Sequence, residues 1–428
     1  MNNEIKTIYN EYLNETFYYA THKSGLKIIF VPKKLTSFYA VYGVKYGSVD
    51  SEFKACGEES FTRVPDGIAH YLEHKMFENE DGTDAFALFS KYGASANAFT
   101  THNLTAYLFS CTSNFKENLK ALLTFVNEPY FTEQTVEKER GIISEEIEMY
   151  EDDPYSALHY GMLELLYKNN PVKINVAGTV ETVSKITAEH LYRCYNAFYT
   201  PDNMVLSISG DTDIESILTV CDEVLDNKET DAATERATFY EPDEVCLKRG
   251  SVTRPVSLPL FCIGIKDKVP DSPRERVKRS VAAAILMDVV YGSSSDFFSE
   301  LYNGGLVNSM SCGHDSMINY AFSYIIGEGK DPEEIYSRFV QAAASVVKNG
   351  IDEDAFRRVK KVTVANYVKG FDSTENIATE ALFMELEGVS ISEYSSVIQE
   401  IDRDYVYRVA KELLLDTHFS MMTVIPQK

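Results

Sequence analysis

The sequence predicts an α+β fold built from two halves of similar plan. Strand-like and helix-like segments are mixed, without the strict strand–helix alternation of a parallel sheet. A polar and poorly periodic stretch at residues 226–243 interrupts the pattern, and the order of elements restarts after it. We therefore expect an N-terminal α+β domain over residues 1–225, a linker over residues 226–250 and a C-terminal α+β domain over residues 251–428.

The first half contains segments with clear strand or helix character. Residues 26–33 and 39–47 are rich in β-branched and aromatic residues, which predicts strands. A helix is expected from about Asp66 to Asn79, because Asp66 or Gly67 suits a helix start. The other elements predicted for this half are a strand pair at 95–100 and 104–111, helices at 113–128 and 132–151, and a strand at 203–209.

The second half repeats this order, although direct sequence similarity between the halves is faint. Its predicted elements are a strand at 257–266, a long helix from about Pro273 to Tyr291, a strand pair near 307–327, helices at 331–349 and 352–370, and a final strand at 418–425.

The composition is that of an ordinary globular protein with a strong acidic charge. The chain has 428 residues, 44% hydrophobic and 25% charged, with a formal net charge of −24. This charge argues against nucleic acid and anionic membranes as partners, because both would repel the surface. It is compatible with cationic peptides as ligands, but an acidic protein without that preference fits equally well.

The cysteines and the N-terminal residues bear on cellular location. Seven cysteines occur without any Cys-x-x-Cys pair, which favours reduced thiols in the cytoplasm. The first residues lack a basic segment followed by an apolar run, so we expect no signal peptide. No stretch approaches the roughly 18 apolar residues of a membrane span. The sequence therefore predicts a cytoplasmic protein without a membrane span.

The run from His70 to His74 places three polar side chains on one face of a helix. His70 and His74 lie one turn apart and about 40° apart around the axis, and Glu73 lies about 60° to the other side of His70. The apolar residues of the segment fall roughly opposite, on a face that can be buried: Ile68, Leu72 and Met76. Chemistry and packing are thus directed to different sides.

This arrangement is typical of a zinc-dependent peptidase. Two neutral imidazoles suit zinc, and a catalytic zinc needs a third protein ligand while keeping one position open for water. A glutamate beside the ligands can take a proton from that water. The order H-x-x-E-H is the inverse of the better-known H-E-x-x-H signature. The alternative is an exposed helix with two incidental histidines.

The third ligand is sought on the predicted helix at 132–151, which is rich in glutamate. Its apolar residues form one stripe at helical spacing: Val136, Ile142, Ile143, Ile147 and Tyr150. Glu139 and Glu146 fall inside the arc of this stripe, whereas Glu145 falls on the opposite, solvated side. A carboxylate on a buried face is costly unless it is paired or bound to a metal. Glu139 and Glu146 are therefore the candidate functional acids.

Together these residues resemble the pitrilysin/insulinase family of inverted-zincin metallopeptidases. The motif ending at His74 is followed 72 positions later by Glu146, in the context Glu139-Arg140-Gly141-Ile142-Ile143-Ser144-Glu145-Glu146. The chain length points to the short-chain bacterial branch, which resembles mitochondrial processing peptidase. Further matching segments in the first half are Gly93–Thr100, Pro129–Phe131, Tyr199–Met204 and Gly210–Asp211.

The resemblance implies a role for each matching residue of the metal site. His70, His74 and Glu146 match the family's zinc ligands, and Glu73 matches its general base. Glu139 matches a second acid that supports the site from behind the ligands. Zn²⁺ is therefore the expected cofactor. The second half carries no metal motif.

The resemblance also implies a place for the substrate. Asn97, Ala98 and Phe99 match the strand that receives a peptide as an added β-strand, a mode in which main-chain hydrogen bonds give affinity with little sequence demand. The alternative for Asn97 is an ordinary residue inside a strand. The implied fold has two homologous halves, each a mostly antiparallel sheet packed with helices, facing each other across a peptide-binding cleft. In the family, a pair of such chains, or a four-domain fusion, encloses a chamber that admits peptides and excludes most folded proteins.

One departure from the family pattern concerns the second half. The family has an Arg and a nearby Tyr that help to bind substrate and stabilise the tetrahedral intermediate, and the aligned positions here hold Tyr302 and Asn308. A sister chain without a zinc site could supply the Arg/Tyr pair in a heterodimer. Alternatively, other residues such as Tyr324 could serve in a homodimer.

These expectations combine into one functional hypothesis. The chain is expected to be a zinc metalloendopeptidase that cleaves unfolded or short peptides inside a closed chamber, with Glu73 as base. The alternative is a non-catalytic or partner-dependent subunit of a heterodimeric processing peptidase. The intact metal triad argues against a non-catalytic chain, because such subunits usually lose it.

Overall fold

Two mixed sheets, one in each half, carry the fold; the computed structural model describes residues 4–80, 82, 85–225 and 234–427. The strands of the first half and of the connecting segment are β1 Glu4–Asn10, β2 Glu15–Thr21, β3 Lys27–Pro32, β4 Phe38–Val44, β5 Glu52–Lys54, β6 Thr62–Arg63, β7 Ser95–Thr100, β8 Thr105–Cys111, β9 Met204–Gly210 and β10 Glu235–Arg236. Those of the second half are β11 Arg249–Arg254, β12 Leu260–Lys266, β13 Val307–Met317, β14 Tyr320–Gly329 and β15 Phe419–Pro426.

Helices cover both faces of these sheets. In the first half they are α1 Ile68–Lys75, α2 Ala85–Lys91, α3 Phe115–Asn127, α4 Glu133–Asp152, α5 Pro154–Leu166, α6 Val180–Val183, α7 Ala188–Phe198 and α8 Ile214–Val224. In the second half they are α9 Pro273–Tyr291, α10 Asp296–Asn303, α11 Pro332–Asn349, α12 Glu353–Gly370, α13 Thr374–Leu386, α14 Ile391–Glu400 and α15 Arg403–Leu413.

Both large sheets are mostly antiparallel, as the sequence predicts. The first has the order β1-β2-β3-β9-β4-β8-β7, in which only the β3–β9 pair is parallel. The second has the order β11-β15-β12-β14-β13, in which only β11–β15 is parallel. The predicted α+β class with two halves of similar plan is confirmed.

Each half contributes one helix to the sheet of the other half. Helix α13, from the second half, buries Ala381 and Leu382 against Val41 and Val205 of the first sheet. Helix α5, from the first half, buries Met162 against Cys262 and other residues of the second sheet. The two halves are therefore joined by packing as well as by the chain between them.

The predicted linker is partly ordered. Residues 226–233 lie outside the described residues. After them, β10 pairs with β5 next to the first sheet, and β11 begins at Arg249, so the end of the predicted linker belongs to the second sheet. Glu241 accepts hydrogen bonds from the backbone of residues 168–170 and pairs with Lys266. The division into two domains at this segment stays a prediction.

No single helix among the described residues is long and apolar enough to cross a bilayer. The pair α9 and α10, bent by 41° at their junction, would together be long and apolar enough for a broken membrane span. Much of α9 is buried in the core of the second half.

Helix α1 is shorter than the predicted helix from Asp66 to Asn79. It begins after Gly67, which adopts a left-handed conformation with φ of 90°, and it ends before Met76. Phe77 instead accepts a backbone hydrogen bond from Ala85, so the chain turns away there. The left-handed conformation of Gly67 fixes the start of the helix. The spacing of apolar residues in the sequence does not predict that conformation.

Replacing Gly67 with alanine is expected to lower the free energy of unfolding by about 2 kcal/mol or more. An L-residue in the left-handed region costs roughly 1–2 kcal/mol, and the new Cβ would lie 2.4 Å from the carbonyl oxygen of Ala177. Urea unfolding measures the change. Gly141→Ala in α4 is the control: its Cβ would meet nothing within 4 Å, and an alanine there should be neutral or stabilising. Equal stability of the two variants would contradict the prediction.

Candidate metal centre

Helix α1 presents its histidines on the side away from the core. Ile68, Leu72 and Met76 are buried in the main core of the first half, as the helix-face argument predicts. The hydroxyl of the buried Tyr71 donates to the backbone oxygen of Val136 in α4. This bond ties the histidine-bearing helix to the glutamate-bearing helix.

His70, His74 and Glu146 converge where α1 faces α4. Nε2 of His70 lies 3.8 Å from one carboxylate oxygen of Glu146, and Nε2 of His74 lies 3.5 Å from the other. One ligand atom from each residue lies within 4.8 Å of the others. Two ligands on a tetrahedral zinc lie about 3.3 Å apart, given bonds of roughly 2.0–2.1 Å. Two imidazoles and a carboxylate at this spacing therefore fit zinc after small side-chain rotations.

Glu139 supports His74 from behind. Nδ1 of His74 lies 3.0 Å from a carboxylate oxygen of Glu139. If Nδ1 carries the proton, Nε2 keeps its lone pair toward Glu146, which is the tautomer a metal ligand needs. The bond with His74 holds the pKa of the Glu139 carboxyl below its usual value. Burial alone would lower the pKa of His74, but Glu139 and the neighbouring carboxylates raise it overall.

His70 is kept neutral by its surroundings. Burial, followed by the neighbouring His74, lowers the pKa of His70 to about 4. The ring is therefore uncharged near neutral pH, which is the form that binds a metal. Its Nδ1 is buried and has no hydrogen-bond partner among the described residues. The two histidines of the motif are thus supported unequally.

Glu73 lies beside the triad and is held by the last residue of β7. It is only 8% exposed, and burial raises the pKa of its carboxyl. The hydroxyl of Thr100 donates to Oε2 of Glu73 at 2.5 Å, which leaves Oε1 available. Thr100 lies in a segment that matches the family, but the resemblance implied no role for it. A buried carboxyl with a raised pKa is suited to accept a proton near neutral pH.

The predicted substrate strand is the edge strand of the first sheet. β7 has β8 on one side, and the described strands place no neighbour on the other. Asn97 and Ala98 line a pocket of about 400 Å³ together with Glu73, His74 and Glu139. The backbone N–H of Ala98 donates to Oδ1 of Asn97 at 2.9 Å.

Phe99, the third residue predicted to bind substrate, has its side chain elsewhere. Its ring stacks with Phe383 of α13, with ring centres 6.4 Å apart. It packs on the side of the sheet that α13 covers. Phe99 could therefore meet a peptide on β7 only through its main chain.

The positions that replace the family's Arg and Tyr make contacts within the second half. Tyr302 is 55% exposed and its ring stacks on Phe298. The amide of Asn308 donates to Glu328. The hydroxyl of Tyr324 lies over Gly313 in the neighbouring strand. None of these contacts, within the described residues, reaches His70, His74 or Glu146.

Tyr150 was predicted only as part of the apolar stripe, yet it lies close to a candidate ligand. It follows Glu146 by one helical turn. Burial, and then the charge and hydrogen bonding of Glu146, raise the pKa of its phenol. Its spacing from Glu146 was the available signal, but an aromatic residue in an apolar stripe gives no reason to expect a polar contact.

Comparison with known proteins assigns the family. The family model described as "Insulinase (Peptidase family M16)" matches residues 62–180, and "Peptidase M16 inactive domain" matches residues 185–363. An "Uncharacterized zinc protease YmfH" of Bacillus subtilis is 37% identical over 99% of this chain and 100% of its own length. "Uncharacterized zinc protease YmxG" of the same organism is 25% identical over 75% of this chain and 78% of its own length.

Solved structures share the whole fold. A putative M16-like peptidase from Alicyclobacillus acidocaldarius has a TM-score of 0.91 and 32% identity, covering 100% of this chain and 99% of that one. A protease from Helicobacter pylori has a TM-score of 0.81 at 18% identity, covering 100% of both chains, which shows a shared fold. The full-length match at 37% identity and the two family models agree with the motif. The chain belongs to the insulinase family of peptidases, M16.

Proposed function

We propose that this protein is a zinc metalloendopeptidase that cleaves short or unfolded peptides. The observation that carries the proposal is the convergence of His70, His74 and Glu146 within 4.8 Å, next to the buried carboxyl of Glu73. The names of its relatives as zinc proteases and its membership of a peptidase family support both the metal and the reaction. We assign the three converging residues as the zinc ligands.

Glu73 is assigned as the general base. When bound, zinc polarises the scissile carbonyl and lowers the pKa of the attacking water. Glu73 accepts a proton from that water and passes it to the leaving amine. Thr100 fixes one carboxylate oxygen of Glu73, so the other oxygen can face the reacting atoms. Glu139 holds the ring of His74 in place.

The peptide is proposed to bind along the free edge of β7. An extended chain adding to a sheet edge is held by main-chain hydrogen bonds and needs little specific sequence. The N–H of Ala98 now donates to Oδ1 of Asn97. The Asn97 side chain would have to move away before this N–H could donate to the peptide. The pocket of about 400 Å³ between β7 and His74 would take one side chain. An unfolded or short peptide can readily present such an extended segment.

A dimer is proposed to complete the site, with a sister chain supplying an Arg and a Tyr. The supporting observation is that Tyr302 and Asn308 stand at the aligned positions and are engaged with Phe298 and Glu328. The same observation favours a second candidate function, a partner-dependent subunit of a heterodimeric processing peptidase. A homodimer that uses Tyr324 is the other arrangement. The cytoplasmic location expected from the sequence stays a proposal.

The purified chain is expected to carry close to one zinc per chain and to cleave a fluorogenic peptide. A chelator should abolish the cleavage, and added zinc should restore it. A substrate protein is then offered in its folded and in its unfolded state to test whether the site excludes folded proteins. Only the unfolded form should be cleaved. Absence of both zinc and chelator-sensitive cleavage, alone and with a sister chain, would overturn the proposal.

Co-purification from the native cell distinguishes the two kinds of dimer. We expect a sister chain with Arg and Tyr at the positions aligned with Tyr302 and Asn308. Recovery of this chain with itself only, together with full activity, would instead establish the homodimer.

A further inference from the structure

Helix α4, which carries Glu146, continues into α5 without a loop. α4 ends at Asp152, and α5 begins at Pro154. Asp153 between them caps α5 by accepting a hydrogen bond from the backbone N–H of Ser156 at 2.7 Å. Proline is favourable in the first turn of a helix because its missing N–H would have no partner there. The angle between the two helices is therefore fixed locally.

Helix α5 packs closely against the second sheet. A Cβ on Gly264 would lie 2.3 Å from the sulfur of Met162, and a Cβ on Gly161 would lie 2.6 Å from the terminal carbon of Met422. Glycine at both places lets the helix approach the strands closely. Met162 is buried between them. The position of α5, and through it the end of α4, is thus set by the second half.

Arg254 makes a direct contact from the second half to α4. Nη2 of Arg254 donates to the backbone oxygen of Glu151 at 3.0 Å. The backbone oxygen of Arg254 is itself held by the N–H of Gln427 at 3.0 Å, beside the pairing of β11 with β15. The last carbonyls of a helix lack partners inside it, and a cation at this end is favourable. Arg254 therefore caps the end of the helix that carries the candidate ligand.

The contact lies close enough to Glu146 to influence it. Glu151 follows Glu146 by five residues, which corresponds to about 7.5 Å along a helix. Core packing holds α4 as far as Ile147, which is buried, but Met149 and Tyr150 on the last turn are exposed, so core packing does not hold that last turn. The Arg254 contact and the α4–α5 junction supply the missing restraint.

We infer that Arg254 is a positioning residue that holds the end of α4 and so, together with the core packing of Ile147, sets the place of Glu146 at the metal. This inference rests on the proposed metal site. It gives the second half a part in the active site although that half carries no metal motif. In this assignment Arg254 touches neither metal nor substrate. It acts by holding the backbone of Glu151 in place.

The chain offers a matched control on the same strand. Arg249 also lies on β11, and its guanidinium lies 3.4 Å from Glu333 and 3.7 Å from the ring centre of Tyr336. Those contacts are within the second half. Arg249→Ala therefore removes an arginine from β11 without touching α4. Arg254→Lys keeps a cation that can donate to a carbonyl.

The test is zinc affinity of the full chain, measured by competition with a chelator, together with the absorption spectrum of the Co²⁺-loaded protein. Arg254→Ala should weaken zinc binding by about tenfold, the low end of the range for losing a direct partner of a metal ligand, because Arg254 contacts the helix backbone and not a ligand. It should also alter the Co²⁺ spectrum. Arg254→Lys should recover most of the affinity. Arg249→Ala should match the unmodified protein. If Arg254→Ala does not fold, Arg254→Met, whose side chain has no hydrogen-bond donor, is compared with Arg254→Lys in its place.

The outcomes separate this inference from the proposed function. An unmodified protein that binds no zinc would overturn the metal site itself. Zinc binding by the unmodified protein, with equal affinity in the Arg254 and Arg249 variants, would overturn the positioning role alone. A lysine variant no better than the alanine variant would do the same. A tenfold loss restored by lysine would support the role.

Discussion

Glu73→Gln is expected to lower kcat for peptide cleavage by about 10²–10⁴-fold, the usual contribution of a general base, while zinc stays bound. An amide cannot accept the proton from the attacking water. It can still accept the hydrogen bond from Thr100 that Glu73 accepts now at 2.5 Å. Because burial already disfavours the charged carboxylate, a neutral amide of the same shape should not destabilise the fold. Steady-state cleavage of a fluorogenic peptide, with zinc content measured in parallel, is the assay.

Glu148→Gln is the matched control for this substitution. Glu148 is an exposed glutamate in α4, two residues from Glu146, so the same chemical change is made close to the site but outside it. Its kcat and zinc content should equal those of the unmodified protein. Surviving cleavage in Glu73→Gln would show that another group is the base.

The convergence of the candidate metal ligands could largely be predicted from the sequence because the parts of the candidate site are local. His70, Glu73 and His74 lie within five positions, so helix periodicity alone places them on one face. Glu139 and Glu146 lie on one helix, and the buried part of its apolar stripe identifies which acids face inward. Two predicted members of that stripe, Ile142 and Tyr150, are exposed. Only the meeting of the two helices is long-range, and the bond between Tyr71 and the backbone of Val136 provides it.

The support of Glu73 by Thr100 could not be predicted in this way. The bond joins an edge strand to a helix, and it depends on the register of β7 against β8 and on how α1 crosses the sheet. A pattern of apolar residues gives the face of a strand but not the residue level with a given helical side chain. The side-chain position of Phe99 could not be predicted for a related reason. Its ring packs against Phe383, which comes from the other half.

The packing of one helix from each half against the sheet of the other half could not be predicted from the sequence either. The apolar faces of α5 and α13 predict that each helix is buried, but they do not say against which sheet. Both sheets offer apolar strands, so periodicity fits either pairing. Glycines at close contacts decide the matter: a Cβ on Gly43 would lie 2.7 Å from a methyl group of Leu382, which admits α13 to the first sheet. Such pairwise fits are tertiary information.

Glu146→Ala is expected to remove zinc binding and cleavage together. The loss in zinc affinity should exceed the roughly 10–100-fold that follows loss of an outer partner, because a direct ligand is removed and two histidines cannot complete a catalytic site. Zinc should raise the melting temperature of the unmodified protein, since a ligand that binds only the folded state stabilises it. It should leave that of Glu146→Ala unchanged. Thermal unfolding with and without zinc, alongside chelator competition, measures both effects.

Glu145→Ala makes this test strict, because it shifts the same substitution by one residue. Glu145 is exposed and lies about 100° around the helix from Glu146, so its loss should change neither zinc affinity nor cleavage. The opposite result, with zinc lost in Glu145→Ala and kept in Glu146→Ala, would mean that the phase of α4 is wrong by one residue. That phase is fixed by Val136, Ile143 and Ile147, all 0% exposed, and turning them out of the core would cost several kcal/mol, at about 1.5–3 kcal/mol for each buried side chain. The packing that holds α4 therefore also turns Glu146, and not Glu145, toward the two histidines.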